Sequence, residues 1–288
     1  MSVLSRNELR ITLCPAHVAM LAIEHRLTGR GMGRALRAQE IVPAVALGAS
    51  GQLSARRQYD AVLTGLDAFL PAFDGRKFAA TVILSNHFMR YVLVPWSDKL
   101  SDEAEQLAYA RHCFAEVYGE TVRHWEIRLS PGEEGEPQLA SAVDQRLLVS
   151  LRQILSRHDI GLVSIQPHLM AAWNGAYPML RRRSAWLALV EPGRLCLGLL
   201  YQGRWQRVRS QRIASGWLAA MPQILERESC LLGLEENPRE ALLIAPEGEE
   251  LHFPPDTGWV FHRLSPTPLR GGLPSDEWGF AGAMEGVI

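Results

Sequence analysis

Chemistry in a sequence shows first as short combinations of glycine, acid, histidine and nucleophile at fixed spacing, and this chain offers several to weigh. Gly29, Gly31 and Gly33 (GRGMG) have the look of a dinucleotide loop. That loop works only between a strand and a helix, where backbone N–H groups and a helix N-terminus meet a pyrophosphate. Here an arginine and a strand-like run follow, so the glycines read as a turn. Ser85 lies in SNHF rather than G-x-S-x-G, which gives no nucleophile elbow. The nine histidines form no H-E-x-x-H or H-x-H pattern, and His112 and His124 read as surface residues. No metal site is expected. Asp144 has no sequence reason to meet Glu126 or Asp159 as an acid/base pair. No catalytic residue is assigned.

The elements around these residues belong to an ordinary globular chain. At 288 residues, with 47% hydrophobic and 21% charged side chains, it is long enough for one bilobed unit or two domains. The formal charge of -1 supplies no field to attract nucleic acid or anionic lipid, so no nucleic-acid partner is expected. The basic side is almost all arginine, with Lys77 and Lys99 the only lysines, which leaves little scope for a catalytic lysine. Cys14, Cys113, Cys196 and Cys230 are far apart, form no C-x-x-C, and read as reduced, buried thiols of a cytosolic protein. No leader opens the sequence and no apolar run reaches the roughly 20 residues of a membrane span. Direct membrane insertion is therefore not expected.

Periodicity places the elements. Leu9 to Ile23 is a hairpin broken at Cys14, Pro15 and Ala16, and Ala35 to Val42 is a further strand. Tyr59, Val62, Leu63, Leu66, Phe69 and Leu70 recur at helical spacing behind Ser54. Thr81 to Leu84 and Phe88 to Val94 are predicted as a second hairpin across the polar turn Ser85, Asn86, His87. A helix capped by Ser101 runs to Gly119, burying Leu107, Phe114 and Tyr118. Strands at Trp125 to Leu129 and Leu139 to Val143 flank a loop from Pro131 to Pro137. The helix carrying Leu147, Leu148, Leu151, Ile154 and Leu155 stops at Gly161, and a short strand expected to be buried, Leu162 to Ile165, follows. Pro167 opens a helix expected to end at Gly175. After Arg181, Arg182 and Arg183 come a hairpin (Trp186 to Val190, Leu195 to Tyr201) and its extension Trp205 to Val208. Then follow a helix from Trp217 to Leu232, strands at Ala241 to Ala245 and Trp259 to Leu264, and a short helix at Asp276 to Met284.

Three stretches carry a family resemblance. Leu139 to Ala176 (LASAVDQRLLVSLRQILSRHDIGLVSIQPHLMAAWNGA), with its Gln166-Pro167 step, is similar to the PilM segment that closes the first lobe of an actin-like fold. Ala185 to Ile213 resembles the hairpin opening the second lobe, and the ending from Trp278 (WGFAGAMEGV) resembles the final helix. The chain is thus identified as similar to PilM of type IV pilus assembly and to the cytoplasmic part of GspL. The implied fold class is α/β: a bilobed actin-like ATPase fold, each lobe a mixed sheet with helices. The implied lobes are residues 1–180, with an inserted subdomain at about 80–140, and residues 184–288.

The resemblance also says what should have been lost. ATP-binding relatives use an Asp-x-Gly hairpin in each lobe and a glycine pair near the adenosine, since glycine lets main-chain N–H groups reach phosphate and aspartate holds the metal. Between Leu9 and Ile23 there is neither an acid nor a glycine. Glu191, Pro192 and Gly193 keep the spacing of the second loop with the chemistry altered, and Gly248 is the one glycine left among Glu247, Glu249 and Glu250. These vestigial loops imply a chain that neither binds nor hydrolyses Mg-ATP and needs no cofactor. The implied role is a non-catalytic scaffold of a type IV pilus or type II secretion-like inner-membrane platform, cytoplasmic and peripheral to the membrane through its partners. It would hold the short cytoplasmic tail of a PilN-like membrane protein, with the assembly ATPase a second candidate partner. GspL carries a transmembrane helix after its lobes and this sequence shows none, so the PilM arrangement is the expectation. A working actin-like ATPase or small-molecule kinase is the alternative. The aromatic, mixed-polarity edge at Phe88, Arg90 and Tyr91 is the expected partner-binding strand, with core packing of Phe88 and Tyr91 as the plainer alternative.

Overall fold

The computed structural model describes residues 7–15, 17–28, 31–41, 55–73, 75–100, 102–233, 237–245, 253 and 257–264. Strands β1 (Asn7–Cys14), β2 (His17–Thr28) and β3 (Gly31–Ile41) form an antiparallel meander. Strands β4 (Phe78–Leu84) and, later in the chain, β8 (Gly161–Pro167) extend it in parallel, giving the order β3-β2-β1-β4-β8. Parallel addition needs crossovers. Helix α1 (Ala55–Phe69), which buries Tyr59, Val62, Leu63 and Leu66, precedes β4. Helix α3 (Gln145–Arg157) precedes β8 and buries Leu147, Leu148, Leu151, Ile154 and Leu155, the stripe its spacing dictates. Asp144 starts α3 by accepting a 2.9 Å hydrogen bond from the Arg146 amide, so this carboxylate is a cap and not half of an acid/base pair.

Between β4 and α3 the chain builds a separate three-stranded sheet. Strands β5 (Met89–Val94), β6 (Trp125–Leu129) and β7 (Gln138–Asp144) stand in the order β5-β7-β6 under helix α2 (Glu103–Tyr118). Phe114, Ala110, Val122 and Ile127 close its own small core. The expected hairpin of β4 with β5 does not form: β5 leaves the plane of the large sheet and pairs antiparallel with β7. Its α2 cap is Asp102, whose carboxylate accepts from the Glu105 amide at 2.8 Å, rather than Ser101, which lies outside the described residues.

Helix α4 (His168–Leu180) leads into a second five-stranded sheet of β9 (Ala185–Glu191), β10 (Arg194–Tyr201), β11 (Arg204–Arg212), β12 (Glu240–Ile244) and β13 (Val260–Arg263). Its order, β11-β10-β9-β12-β13, repeats the first sheet: three antiparallel strands, then two parallel ones. Helix α5 (Trp217–Leu232), ended by Gly233 in the left-handed region, supplies the crossover to β12. Strand β9 is buried along its whole length, and its alternation divides two cores. Trp186, Ala188 and Val190 pack with Met221 and Leu225 of α5. Ala185, Leu187 and Leu189 pack with Cys196, Leu242 and the apolar residues of the first lobe. Helix α4 runs past Gly175, where it was expected to end, because Ala176 and Leu180 are buried in that shared core. Among the described residues no helix is long and apolar enough to cross a membrane. Ser54, Gly248, and the stretches 276–284 and 278–287 read above lie outside the described residues.

Candidate functional site

Two places gather unusual chemistry, and the strand ends explain both. In the second lobe the first hairpin turn meets the first lobe. That turn is Pro192 and Gly193, bracketed by Glu191 and Arg194, which face each other across β9 and β10. The left-handed backbone of Gly193 (φ 74°) makes so tight a turn possible. Glu191 follows Leu187 and Leu189 in the alternation, so its side chain points into the first lobe, and it is fully buried there.

A buried carboxylate must be satisfied or neutralised. Glu191 is satisfied by the ends of two first-lobe strands. Beyond β4, Ser85 Oγ donates to it at 3.0 Å and the Asn86 amide donates at 3.0 Å. Beyond β8, His168 Nδ1 lies 2.5 Å from Oε1. Burial opposes ionisation, but the His168 hydrogen bond and charge, reinforced by Ser85, outweigh it and hold the carboxyl below its usual range. Tyr91 donates to Asn86 Oδ1 at 2.6 Å, and His87 Nε2 meets the Pro192 carbonyl at 3.0 Å. Burial lowers the His87 pKa, with Arg194 and Arg90 adding to it and Glu191 opposing, so the ring is neutral at neutral pH and donates from Nε2. The turn Ser85, Asn86, His87 is therefore not an exposed linker: Ser85 and Asn86 are buried. Pinned by Glu191 and by the 2.9 Å bond of the Ser85 amide to Leu13, it sends β5 away from β4.

These contacts decide what the cleft can do. The Glu191 carboxylate has its acceptor capacity spent on protein donors. Among the described residues no cluster of three or more His, Cys, Asp or Glu could hold a metal ion. Cys14 and Cys196 are buried, Cys113 is half-buried, and Cys230, expected inside, is exposed. Burial pushes the Cys196 thiol far above its usual range, which leaves it unreactive.

The second place is an open strand edge. Among the described residues β8 ends its sheet and no strand pairs with its outer side, and Val163 is 66% exposed. Beside it runs a groove of about 340 Å³ bounded by β6 and β7 of the small sheet, β8 and α3. Its floor is apolar, with Leu84, Met89, Val143, Leu148 and Ile165, and its rim carries Arg128, tied to Glu126 at 2.8 Å, and the exposed Arg152. Sequence reasoning missed this edge. The one available signal was that β8, the last strand of its lobe, alternates only weakly with exposed Gly161 and Val163.

The residues expected to present a docking edge sit differently. Tyr91 is buried with its hydroxyl turned to Asn86. Phe88 packs on the shared core. The Arg90 guanidinium donates to the carbonyls of His87 (3.1 Å) and Met89 (2.6 Å). Strand β5 is an edge of its sheet, yet β11 runs alongside it.

Two mixed five-stranded sheets of identical topology, joined here through a shared core, define the actin-like ATPase fold, and this chain has it. The solved structures bear this out in particular proteins. It is similar to the PilM-PilN type IV pilus biogenesis complex at a TM-score of 0.58, with 16% identity over 90% of this chain and 88% of that one. It is similar to the cytoplasmic domain of EpsL, an inner-membrane component of the Vibrio cholerae type II secretion system, at 0.54, with 13% identity over 91% and 90%. A Bacteroides thetaiotaomicron protein with an actin-like ATPase fold matches at 0.53, with 9% identity over 85% and 84%. No protein-family model and no curated protein sequence matches.

Proposed function

We propose that this chain is a non-catalytic adaptor of a type IV pilus or type II secretion-like inner-membrane platform, docking an extended cytoplasmic tail of a PilN-type membrane protein. The observation that carries the reading is the β8 edge, which no strand pairs among the described residues, beside an apolar groove. An extended peptide would pair its backbone with β8, seat alternate side chains on Leu148 and Ile165, and offer acidic groups to Arg152. The non-catalytic half rests on Glu191, whose carboxylate is occupied by His168, Ser85 and Asn86. The assembly ATPase is a second partner that the same groove could receive.

The test is pull-down of the PilN-type protein of the same genome by wild type, Val163→Glu, Arg152→Glu and Arg90→Glu. Val163 and Arg152 are exposed, so the first two variants should melt like wild type. Loss of capture in both, with Arg90→Glu unchanged, supports the β8 groove; loss in Arg90→Glu alone moves the site to the β5 edge. Capture unaffected by any of them overturns the reading. The alternative, a working actin-like ATPase or small-molecule kinase, would show as Mg-dependent ATP turnover.

A further inference from the structure

Across β9, β10 and β11, the register sets Glu191, Arg194 and Arg212 in one row on the face turned to the first lobe. Glu191 is already satisfied by His168, Ser85 and Asn86. Arg194 is half-buried, and its Nε is buried without a hydrogen-bond partner. Among the described residues neither Arg194 nor Arg212 forms an ion pair or hydrogen bond. One step along the same face, Ser210 Oγ is likewise buried without a partner. From the first lobe, Arg90 on β5 approaches, its guanidinium braced by two main-chain carbonyls. Burial first, then the nearness of Arg90 and Arg212, depresses the Arg194 pKa, and the Glu191 carboxylate in the same row, already committed to its own donors, offsets this only in part.

Such an arrangement works against folding. Two unpaired guanidinium groups side by side on neighbouring strands repel, and a third adds to them. A surface strand can carry arginines as protection against edge pairing, but that needs no buried, unpartnered Nε. A single carboxylate offers two oxygens and one negative charge, enough for one guanidinium fork. Three forks and a hydroxyl call for an anion of higher charge with more acceptor oxygens, and a phosphate group carries about -1.5 to -2 at neutral pH.

We propose that Arg90, Arg194 and Arg212, with Ser210, form a metal-independent binding site for a small, multiply charged phosphate anion where β5 meets the β10–β11 ribbon. It differs from a hairpin phosphate loop in relying on side-chain guanidinium groups instead of glycine backbone and a carboxylate-held metal. Being a bridge between β5 and the second lobe, the anion would also tie the small sheet to that lobe.

The experiment is calorimetric titration of the full chain with inorganic pyrophosphate at low ionic strength, with and without Mg²⁺, for wild type, Arg194→Gln and Arg212→Gln. The expected result is saturable binding by wild type that Mg²⁺ does not strengthen, weakened about tenfold or more by each substitution. Unliganded Arg194→Gln should melt no lower than wild type, since it relieves repulsion; an arginine kept for structure would cost stability instead. Arg212 is exposed, so its variant keeps the test alive if Arg194→Gln fails to fold. ATP without metal, run in parallel, reports whether the anion can belong to a nucleotide. No binding by wild type, binding that requires Mg²⁺, binding by both variants as tight as by wild type, or tighter binding of a tetraglutamate peptide than of pyrophosphate would each overturn the proposal.

Discussion

Glu191 shows how a buried carboxylate can serve as a structural joint. A metal-holding carboxylate must face an open cleft; this one reaches the Ser85, Asn86 and His168 donors and is buried by them. Glu191→Ala would leave those donors buried and unpaired and should cost about 3 kcal/mol or more, against about 1 to 3 kcal/mol for Glu191→Gln, which keeps one acceptor. Chemical denaturation of the three proteins checks the order. The same joint fixes a pH dependence. Both Glu191 and His87 have folded-state pKa values below their ordinary ones, so at low pH the unfolded chain takes up protons that the folded chain resists. Stability is therefore full above about pH 6.5, falls first as His87 is pressed to protonate, and falls again below about pH 4.3 as Glu191 is. Melting temperature against pH should show the upper step weakened in His87→Gln and the lower one in Glu191→Gln.

Among elements, the β10–β11 ribbon carries the most specific packing. Trp205 of β11 lies against Gly198 of β10, where a Cβ would stand 2.2 Å from the ring, and its ring centroid is 4.8 Å from that of Trp173 on α4. The missing side chain at 198 is what lets β11 bring an indole onto the shared core. Gly198→Ala should therefore cost about 1 to 3 kcal/mol through overpacking. Gly193→Ala, with nothing within 4 Å but a φ of 74°, should cost about 1 kcal/mol of backbone strain alone. Thermal unfolding of the pair separates steric from conformational cost. Near-ultraviolet circular dichroism should change only in the first, because only there do the tryptophans move.

For the whole molecule, the face of β9 carrying Ala185, Leu187 and Leu189 belongs to the same core as Leu9, Leu84 and Leu169 of the first lobe. Lobes that share a core in this way unfold together. Leu189→Ala should cost about 2 to 5 kcal/mol and lower a single transition rather than split it into two. Calorimetric and van't Hoff enthalpies that disagree would show separate unfolding and contradict this.

Local physics alone decided the element types: the stripe Leu147 to Leu155 and the uninterrupted apolar strands of the second lobe are matters of neighbours within a few residues. What sequence could not convey was partnership at long range. Thr81 to Leu84 and Phe88 to Val94 are strands on either side of three polar residues, which reads as a hairpin. Only a carboxylate 105 residues further on, bonded to the Asn86 amide, shows that the intervening turn is buried and that the strands part into different sheets. The same holds for the sites. That Glu191 stands at a hairpin turn is visible in the sequence; that it is spent on His168 is not. The open edge of β8, and the row that sets Arg194 beside Arg212, follow from sheet order and register, which depend on the packing of segments far apart in the chain.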